Sequence, residues 1–390
     1  MHMLIIGIET SCDETSVAFL KADGPIDNPH FELLSHSLNS QIAIHAQYGG
    51  VFPSEAKRAH AENLVPIFAE ALAKSGLEKK IENSISDNKK EELQTILERE
   101  PVLFQKLIAY AETIEKPSVD MISVTIGPGL PPALWVGVNF ARALNILWDI
   151  PVVGANHMEG HILSVLLSNN YKTVEFPALS LLISGGHTEL VYMKDINTTQ
   201  KIGQTRDDAV GEAFDKVARM IGIPYPGGAE ISRRAHEHRE KFPDVEKPLF
   251  PLPRPMISTH DFDFSFSGLK TAVLYTLKKI DGEITEEQKK ALCREFEDAV
   301  TEVLVKKTTD ALDTFPSKSL IIGGGVIGNK HIRKTFSEII NERDGITLFI
   351  PDKKLATDNA VMIAIAGYRK MLAHGFDDAD NLRAESGLSL

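Results

Sequence analysis

The chain has 390 residues, room for two domains or one large one, and its 43% hydrophobic and 25% charged residues form an ordinary globular balance that excludes a disordered, collagen-like or fibrous protein. Its 42 Lys and Arg against 54 Asp and Glu give a formal charge of -12, which repels a phosphate backbone and confines nucleic-acid contacts to local basic patches or to surfaces shared with partners. Cys12 and Cys293 are too few for a disulfide framework, and the N-terminus lacks a basic segment ahead of a long apolar run, so the expected address is the cytoplasm.

Leu4 to Ile8 reads as an apolar strand, Glu9 to Glu14 as a polar turn bearing carboxylates, and Thr15 to Leu20 as a returning strand. Ser54 to Ala73 has helical spacing. The stretch from Leu77 to Lys116 is rich in Lys, Glu, Asn and Ser and reads as a charged insertion, a solvated helical excursion in preference to a partner-binding module. Met121 to Ala141 has the length of a membrane span, but Gly127, Pro128, Gly129, Pro131 and Pro132 interrupt it, which predicts a strand over Met121 to Thr125, a turn, and a helix over Pro131 to Trp148. Pro151 to Ala155 is a short strand, and Asn156 caps a helix carrying HMEGH. Ala178 to Met193 repeats the opening hairpin around Ser184-Gly185-Gly186-His187, which suggests two related domains. Helices follow over Val210 to Ile221, Ala229 to Arg239, Leu269 to Lys279, Thr285 to Thr314, Gly328 to Asn341 and Asp358 to His374, with strands at Leu320 to Ile322 and Thr347 to Ile350. Alternating strands and helices imply a mixed or parallel α/β sheet. Asp377 to Leu390 reads as a frayed or partly docked tail.

His157 and His161 lie four apart, so on a helix both imidazoles leave one face, the spacing a divalent metal needs. A zinc peptidase would carry its glutamate directly after the first histidine, as in HExxH; Met158 stands there and Glu159 one place later. A third ligand could come from Asp13, Glu14, Asp215 or Asp358, although Asp358, at the start of the last helix, would serve equally as a cap. Glycine turns at Ser184-Gly185-Gly186, Pro226-Gly227-Gly228 and Gly323-Gly324-Gly325 offer bare N–H groups to a phosphate and point to a nucleotide or adenylate site. Gly323 to Gly328 also matches G-x-G-x-x-G, a Rossmann reading for which little chain follows. Asp13 and Glu14 could position a metal, orient a phosphate or act as a base, or simply form the turn. His45, Arg58 and His60 lie near Gly49-Gly50, and the two histidines read as surface or packing residues.

Nine blocks in order, GIETSCDET, HAQYGG, TIGPGL with ALWVG, NHMEGH, LISGGHTEL, GEAFDKVARMIGIPYPGG, FSFSGLKTAV, GGGVIGN and ATDNAVMIA, resemble the tRNA N6-adenosine threonylcarbamoyltransferase (TsaD) family and cover nearly all of the chain except the insertion and the tail. The resemblance implies an actin-like ATPase (ASKHA) fold of two related α/β domains with a cleft between them: 1–155, carrying the insertion at about 77–116 and receiving helix 358–374, and 156–357, with 377–390 as a tail. It implies transfer of the threonylcarbamoyl group from threonylcarbamoyl adenylate to N6 of adenosine 37 in tRNAs that read ANN codons, with release of AMP. It implies one divalent metal ion per subunit, iron in preference to zinc, held by His157, His161 and Asp358. Leu182, Ile183, Ser184, Gly185, Gly186, Asp215, Gly228 and Asn329 would bind the adenylate, and Asp13 and Glu14 would be the catalytic carboxylates. Implied partners are tRNA, a small paralogous actin-like subunit and an ATPase subunit, with no membrane; Lys57, Arg58, Arg206, Lys270 and Arg333 are candidates for the tRNA rim. The chain departs from the family pattern at Ser54, where a glutamate usually follows the proline, and at Pro131-Pro132. Alternative readings are a metallopeptidase, which the missing HExxH glutamate disfavours, and a nucleotide-binding actin-like regulator without catalysis, which the His157, His161, Asp358 set disfavours.

Overall fold

The computed structural model describes residues 2–25, 28–168 and 173–390. They form two compact units, Met1–Ser168 with Asp358–Leu390, and Asn169–Thr357.

In the first unit, strands β1 (Met3–Glu9), β2 (Glu14–Asp23), β3 (His30–Ser40), β4 (Met121–Gly127) and β5 (Val152–Asn156) make one sheet in the order β3-β2-β1-β4-β5. β1 runs antiparallel to β2 and parallel to β4, and β4 runs parallel to β5. In the second unit, β6 (Ala178–Ile183), β7 (Thr188–Asp195), β8 (Thr198–Gln204), β9 (Ser319–Gly323) and β10 (Thr347–Phe349) repeat that order and those directions, β8-β7-β6-β9-β10. β1, β4 and β6 are apolar along their length because both faces of their sheets are covered. The third strand of each sheet, β3 and β8, was not expected from the sequence. Both lie at sheet edges with mostly exposed or half-buried side chains, so neither carries an apolar run. The antiparallel β6-β7-β8 half excludes the Rossmann reading of Gly323 to Gly328, since that fold needs a parallel sheet.

The first unit does not stop at residue 155. The helix His157–Leu163 packs on the helix Ala360–His374, which itself lies across β1, β2, β4 and β5. That close seat depends on glycine: a Cβ at Gly7 would stand 2.1 Å from the Ala360 carbonyl oxygen, and one at Gly367 would stand 2.0 Å from Ser123 Oγ. The Ser123 hydroxyl donates to the Ile363 carbonyl at 2.6 Å across the same contact. The tail is docked rather than frayed: Asp377 N–H donates to Val152 O, Glu385 N–H to Ile126 O, and Leu382 is buried in the core.

The insertion folds as two helices, Asp87–Ile96 and Pro101–Ala111, that pack against Pro53–Ser75 and Pro131–Trp148. It is amphipathic, contributing Leu93, Leu97, Leu103, Leu107, Ala111 and Ile114 to the core while its charges pair at the surface, as Lys90 does with Glu112. Among the described residues no helix is long and apolar enough to cross a membrane.

Candidate functional site

Asn156 ends β5 and caps the next helix, its Oδ1 accepting from Met158 and Glu159 N–H. The cap starts the helix at His157, and one turn later His161 follows on the same face, the two rings edge to face with centroids 4.7 Å apart. Asp358 reaches them from the segment ahead of Ala360–His374. It is not the cap of that helix: Asn359 is, accepting from Met362 N–H, which leaves the Asp358 carboxylate to the histidines. Asp358 Oδ1 lies 3.1 Å from His161 Nε2 and 3.4 Å from His157 Nε2. Those separations match the edges of about 3.0 to 3.4 Å that ligand bonds of about 2.1 Å make at octahedral to tetrahedral angles. The three ligand atoms fall within 4.8 Å of one another, two imidazoles and a carboxylate, a donor set that suits iron or zinc. His161 Nδ1 is buried and has no hydrogen-bond partner among the described residues.

Glu9, fully buried at the end of β1, lies behind His157. Its Oε2 accepts from the Thr125 hydroxyl at 2.7 Å and from His157 Nδ1 at 2.9 Å, and its Oε1 from Ser11 N–H. Burial alone would raise the Glu9 carboxyl, yet the His157 imidazole and Ser11 N–H hold it below its ordinary value. Burial likewise works against a charged His157, but Asp358 and then Glu9 raise it well above the usual histidine range. Asp358, though burial raises it, is driven far down by His157 and His161. Glu14 goes the other way, pushed up to about 10 by burial, Asp358 and Asp13. Of the three carboxyls, only Glu14 is thus held toward its neutral form, by burial and its acidic neighbours.

His45 and His60 are neither surface nor plain packing residues. Both are fully buried and brace the carboxylate turn. His60 Nε2–H donates to the Cys12 carbonyl at 3.0 Å, and His60 Nδ1 accepts from the Thr15 hydroxyl at 2.8 Å. Burial pushes His60 down to about 4, so it does this work neutral. Gln41 links His60 to His45, and Gln41 N–H donates to the Asp13 carbonyl at 2.8 Å. Asp13 is thereby fixed at its backbone, with its side chain largely buried.

In the second unit the adenylate candidates cluster by backbone. Leu182 and Ile183 are fully buried in β6, so only their main chain can meet a ligand. Ser184 accepts Gly211 N–H on its carbonyl and His187 N–H on its hydroxyl, while Gly185 and Gly186 are exposed, with nothing within 4 Å of where a Cβ would stand. A Cβ at Gly324, whose φ is +93°, would stand 2.5 Å from the Ile183 carbonyl, so the β9 turn lies against the β6 turn. Asp215 Oδ1 accepts Gly227 N–H at 2.7 Å, tying the helix Val210–Met220 to the glycine turn in which Gly228 begins the helix Gly228–Lys241. Asn329 caps Lys330–Asn341, and its amide donates to the buried Glu297 at 2.6 Å. The five cations offered for a tRNA rim are all engaged within their units: Lys57 with Glu100, Arg58 with Glu55, Arg206 with Asp261 and Asp263, Lys270 with Asp208, and Arg333 on the Ile327 and Pro351 carbonyls.

Glu9, Ser11, Gln41 and Thr15 were not singled out from the sequence. For Glu9 a signal existed, since it is a carboxylate that closes an otherwise apolar, two-face-buried strand; Gln41 and Thr15 carry none, because their role depends on β3 returning beside β2.

A family model described as TsaD, tRNA N6-adenosine threonylcarbamoyltransferase, matches residues 32–85 and 96–365. Proteins named tRNA N6-adenosine threonylcarbamoyltransferase from Burkholderia ambifaria and Burkholderia mallei are each 40% identical over 370 residues, covering 94% of this chain and 91% of theirs. Among solved structures, T. kodakarensis HypF is similar with a TM-score of 0.54 at 12% identity, over 98% of this chain and 49% of that one. Full-length HypF in a phosphate- and nucleotide-bound form gives 0.52 at 10%, over 96% and 56%. The structural likeness is one of fold, the actin-like ATPase fold, whereas the sequence match extends along the chain and through the histidine pair and all three glycine turns, and by it the chain belongs to the TsaD family of tRNA N6-adenosine threonylcarbamoyltransferases.

Proposed function

We propose that this protein transfers the threonylcarbamoyl group of threonylcarbamoyl adenylate to N6 of adenosine 37 in tRNAs reading ANN codons. N6 attacks the carbamoyl carbon, the bond from that carbon to the adenylate phosphate oxygen breaks, AMP leaves, and N6 gives up one proton. The observation that carries this reading is the convergence of His157 Nε2, His161 Nε2 and Asp358 Oδ1 in a chain of this family. These three residues would hold one divalent ion, iron in preference to zinc. When bound, the ion supplies Lewis acidity toward an oxygen that gains negative charge.

The remaining work falls to the chain itself. N6 of adenine is a weak nucleophile, so holding the two reactants in register must contribute much of the acceleration. The exposed backbone at Gly185 and Gly186 and the helix start at Gly228 suit the adenylate phosphate. Asp13, fixed by Gln41, and Glu14 are the carboxylates offered to the reacting centre. Since the five candidate rim cations are already paired, the tRNA surface would be shared with partners, a small paralogous actin-like subunit and an ATPase subunit, in the cytoplasm. A peptidase role finds no support: Glu159, the only carboxylate within HMEGH, is committed to Arg369.

The test is nucleoside mass spectrometry of unmodified tRNA incubated with the protein and threonylcarbamoyl adenylate, with and without the partner subunits, and with His157→Ala as control. Threonylcarbamoyladenosine formed by wild type and not by His157→Ala is expected. No product in any mixture from metal-loaded wild type overturns the assignment.

A further inference from the structure

The two histidines that face Asp358 are not equivalent. Behind His161 the Nδ1 atom is buried without a hydrogen-bond partner among the described residues. Behind His157 a whole buried construction meets Nδ1: Glu9 Oε2 at 2.9 Å, with Ser11 Oγ at 3.2 Å. Glu9 cannot swing away, because its other contacts are the Thr125 hydroxyl and the Ser11 amide, one from the neighbouring strand β4 and one from the turn. Donors on both of its oxygens favour the ionised form of Glu9, and an ionised carboxylate can only accept, so the proton between it and the imidazole sits on Nδ1.

We infer that Glu9 is a positioning residue for the metal centre: it holds the His157 proton on Nδ1, fixes the ring plane, and so leaves Nε2 as the coordinating nitrogen aimed at the space shared with His161 and Asp358. The inference rests on the metal reading of those three ligands. Carboxylates behind metal-bound histidines act this way in general, setting the tautomer and strengthening the ligand, and their removal costs about 10- to 100-fold in metal affinity. Glu9 touches none of the atoms in the coordination triangle and works only through His157. Placed at the end of the central strand β1, it couples His157 to the buried middle of the sheet.

Direct titration of the full-length protein with Co2+ alone, followed by its visible absorption, tests this in Glu9→Ala and Glu9→Gln. Glu9→Ala is expected to bind Co2+ about 10- to 100-fold more weakly than wild type, and Glu9→Gln, which keeps an acceptor but loses the charge, is expected to fall between them. In 15N spectra of the Zn2+-loaded proteins, wild-type His157 is expected as the Nδ1–H form with Nε2 bound. In the variants the His157 signals change while those of His161 do not, a selectivity that general loosening of the fold would not produce. If Glu9→Ala fails to fold, Glu9→Gln decides by the same two readouts. Wild-type affinity with an unchanged His157 signal in the variants overturns the role of Glu9 alone. A wild-type protein that takes up neither Co2+ nor Zn2+ overturns the metal reading and this role with it.

Discussion

The turn from β1 to β2 and the turn from β6 to β7 occupy the same station in two sheets of the same order, yet one is built of buried acids and the other of exposed glycine. In the first, Glu9 and Asp13 are buried and a relay of Gln41, His45 and His60 fixes the backbone beneath them. In the second, Gly185 and Gly186 have no neighbour where a side chain would begin. The duplicated scaffold therefore offers one position twice. Fixed charge needs a dense surrounding to hold it in place, whereas exposed glycine leaves the backbone open to approach, and each copy realises one of these arrangements.

The sharpest way to break this comparison is to empty the charged side. His157→Ala and Asp358→Ala are each expected to lower metal uptake and threonylcarbamoyl transfer by more than about 100-fold, the upper end of what loss of a supporting residue costs, while circular dichroism stays native; metal content by elemental analysis decides. Asp358→Ala should cost no helix cap, since Asn359 fills that role.

Next in size is Gly7→Ala, whose Cβ would press on the Ala360 carbonyl. A loss of about 1 to 3 kcal/mol is expected, as for other overpacked contacts, read as a lower denaturant midpoint; an unchanged midpoint would show that the helix can ride up without penalty.

Glu14 tests the excess of acid. Its carboxyl is pushed up from 4.5 to about 10 by burial, Asp358 and Asp13, so folding favours its neutral form. Its presence therefore costs the metal-free protein nothing below pH 4.5 and progressively more as pH rises toward 10. Glu14→Gln should remove that part of the decline, seen as a flatter plot of denaturant midpoint against pH. A parallel plot would place Glu14 outside the charge cluster.

The smallest stability effect belongs to the other turn. Gly185→Ala meets open space, so the midpoint should move by less than about 0.5 kcal/mol, while adenylate affinity, followed by calorimetry, falls. Loss of stability without loss of affinity would reverse the contrast between the turns.

Much of this was legible in the sequence. The apolar strands and the amphipathic helices announce themselves by period, and the paired hairpins at Leu4 to Leu20 and Ala178 to Met193 foretell two like sheets. His157 and His161 declare themselves by their spacing of four. What was not legible depends on contacts distant in sequence: edge strands β3 and β8 are polar because little covers them, and Glu9 meets His157 across 148 positions. The insertion reads as solvated because charges dominate its composition, while its few leucines, spaced for one helix face, carry its packing.

The first unit is discontinuous, and that has a bearing on how the molecule is made. Residues 169–357 form a unit whose chain is complete once residue 357 has left the ribosome. The sheet of β1 to β5, although translated earlier, must wait for 358–390 to supply the helix that covers it and the tail that pairs with Val152 and Ile126. Domains usually complete in order from the N-terminus during synthesis; here the order is inverted. Asp358 travels at the head of that late segment, so the carboxylate that meets His157 and His161 arrives with the closing of the fold, and the three side chains cannot be brought together on a partial chain.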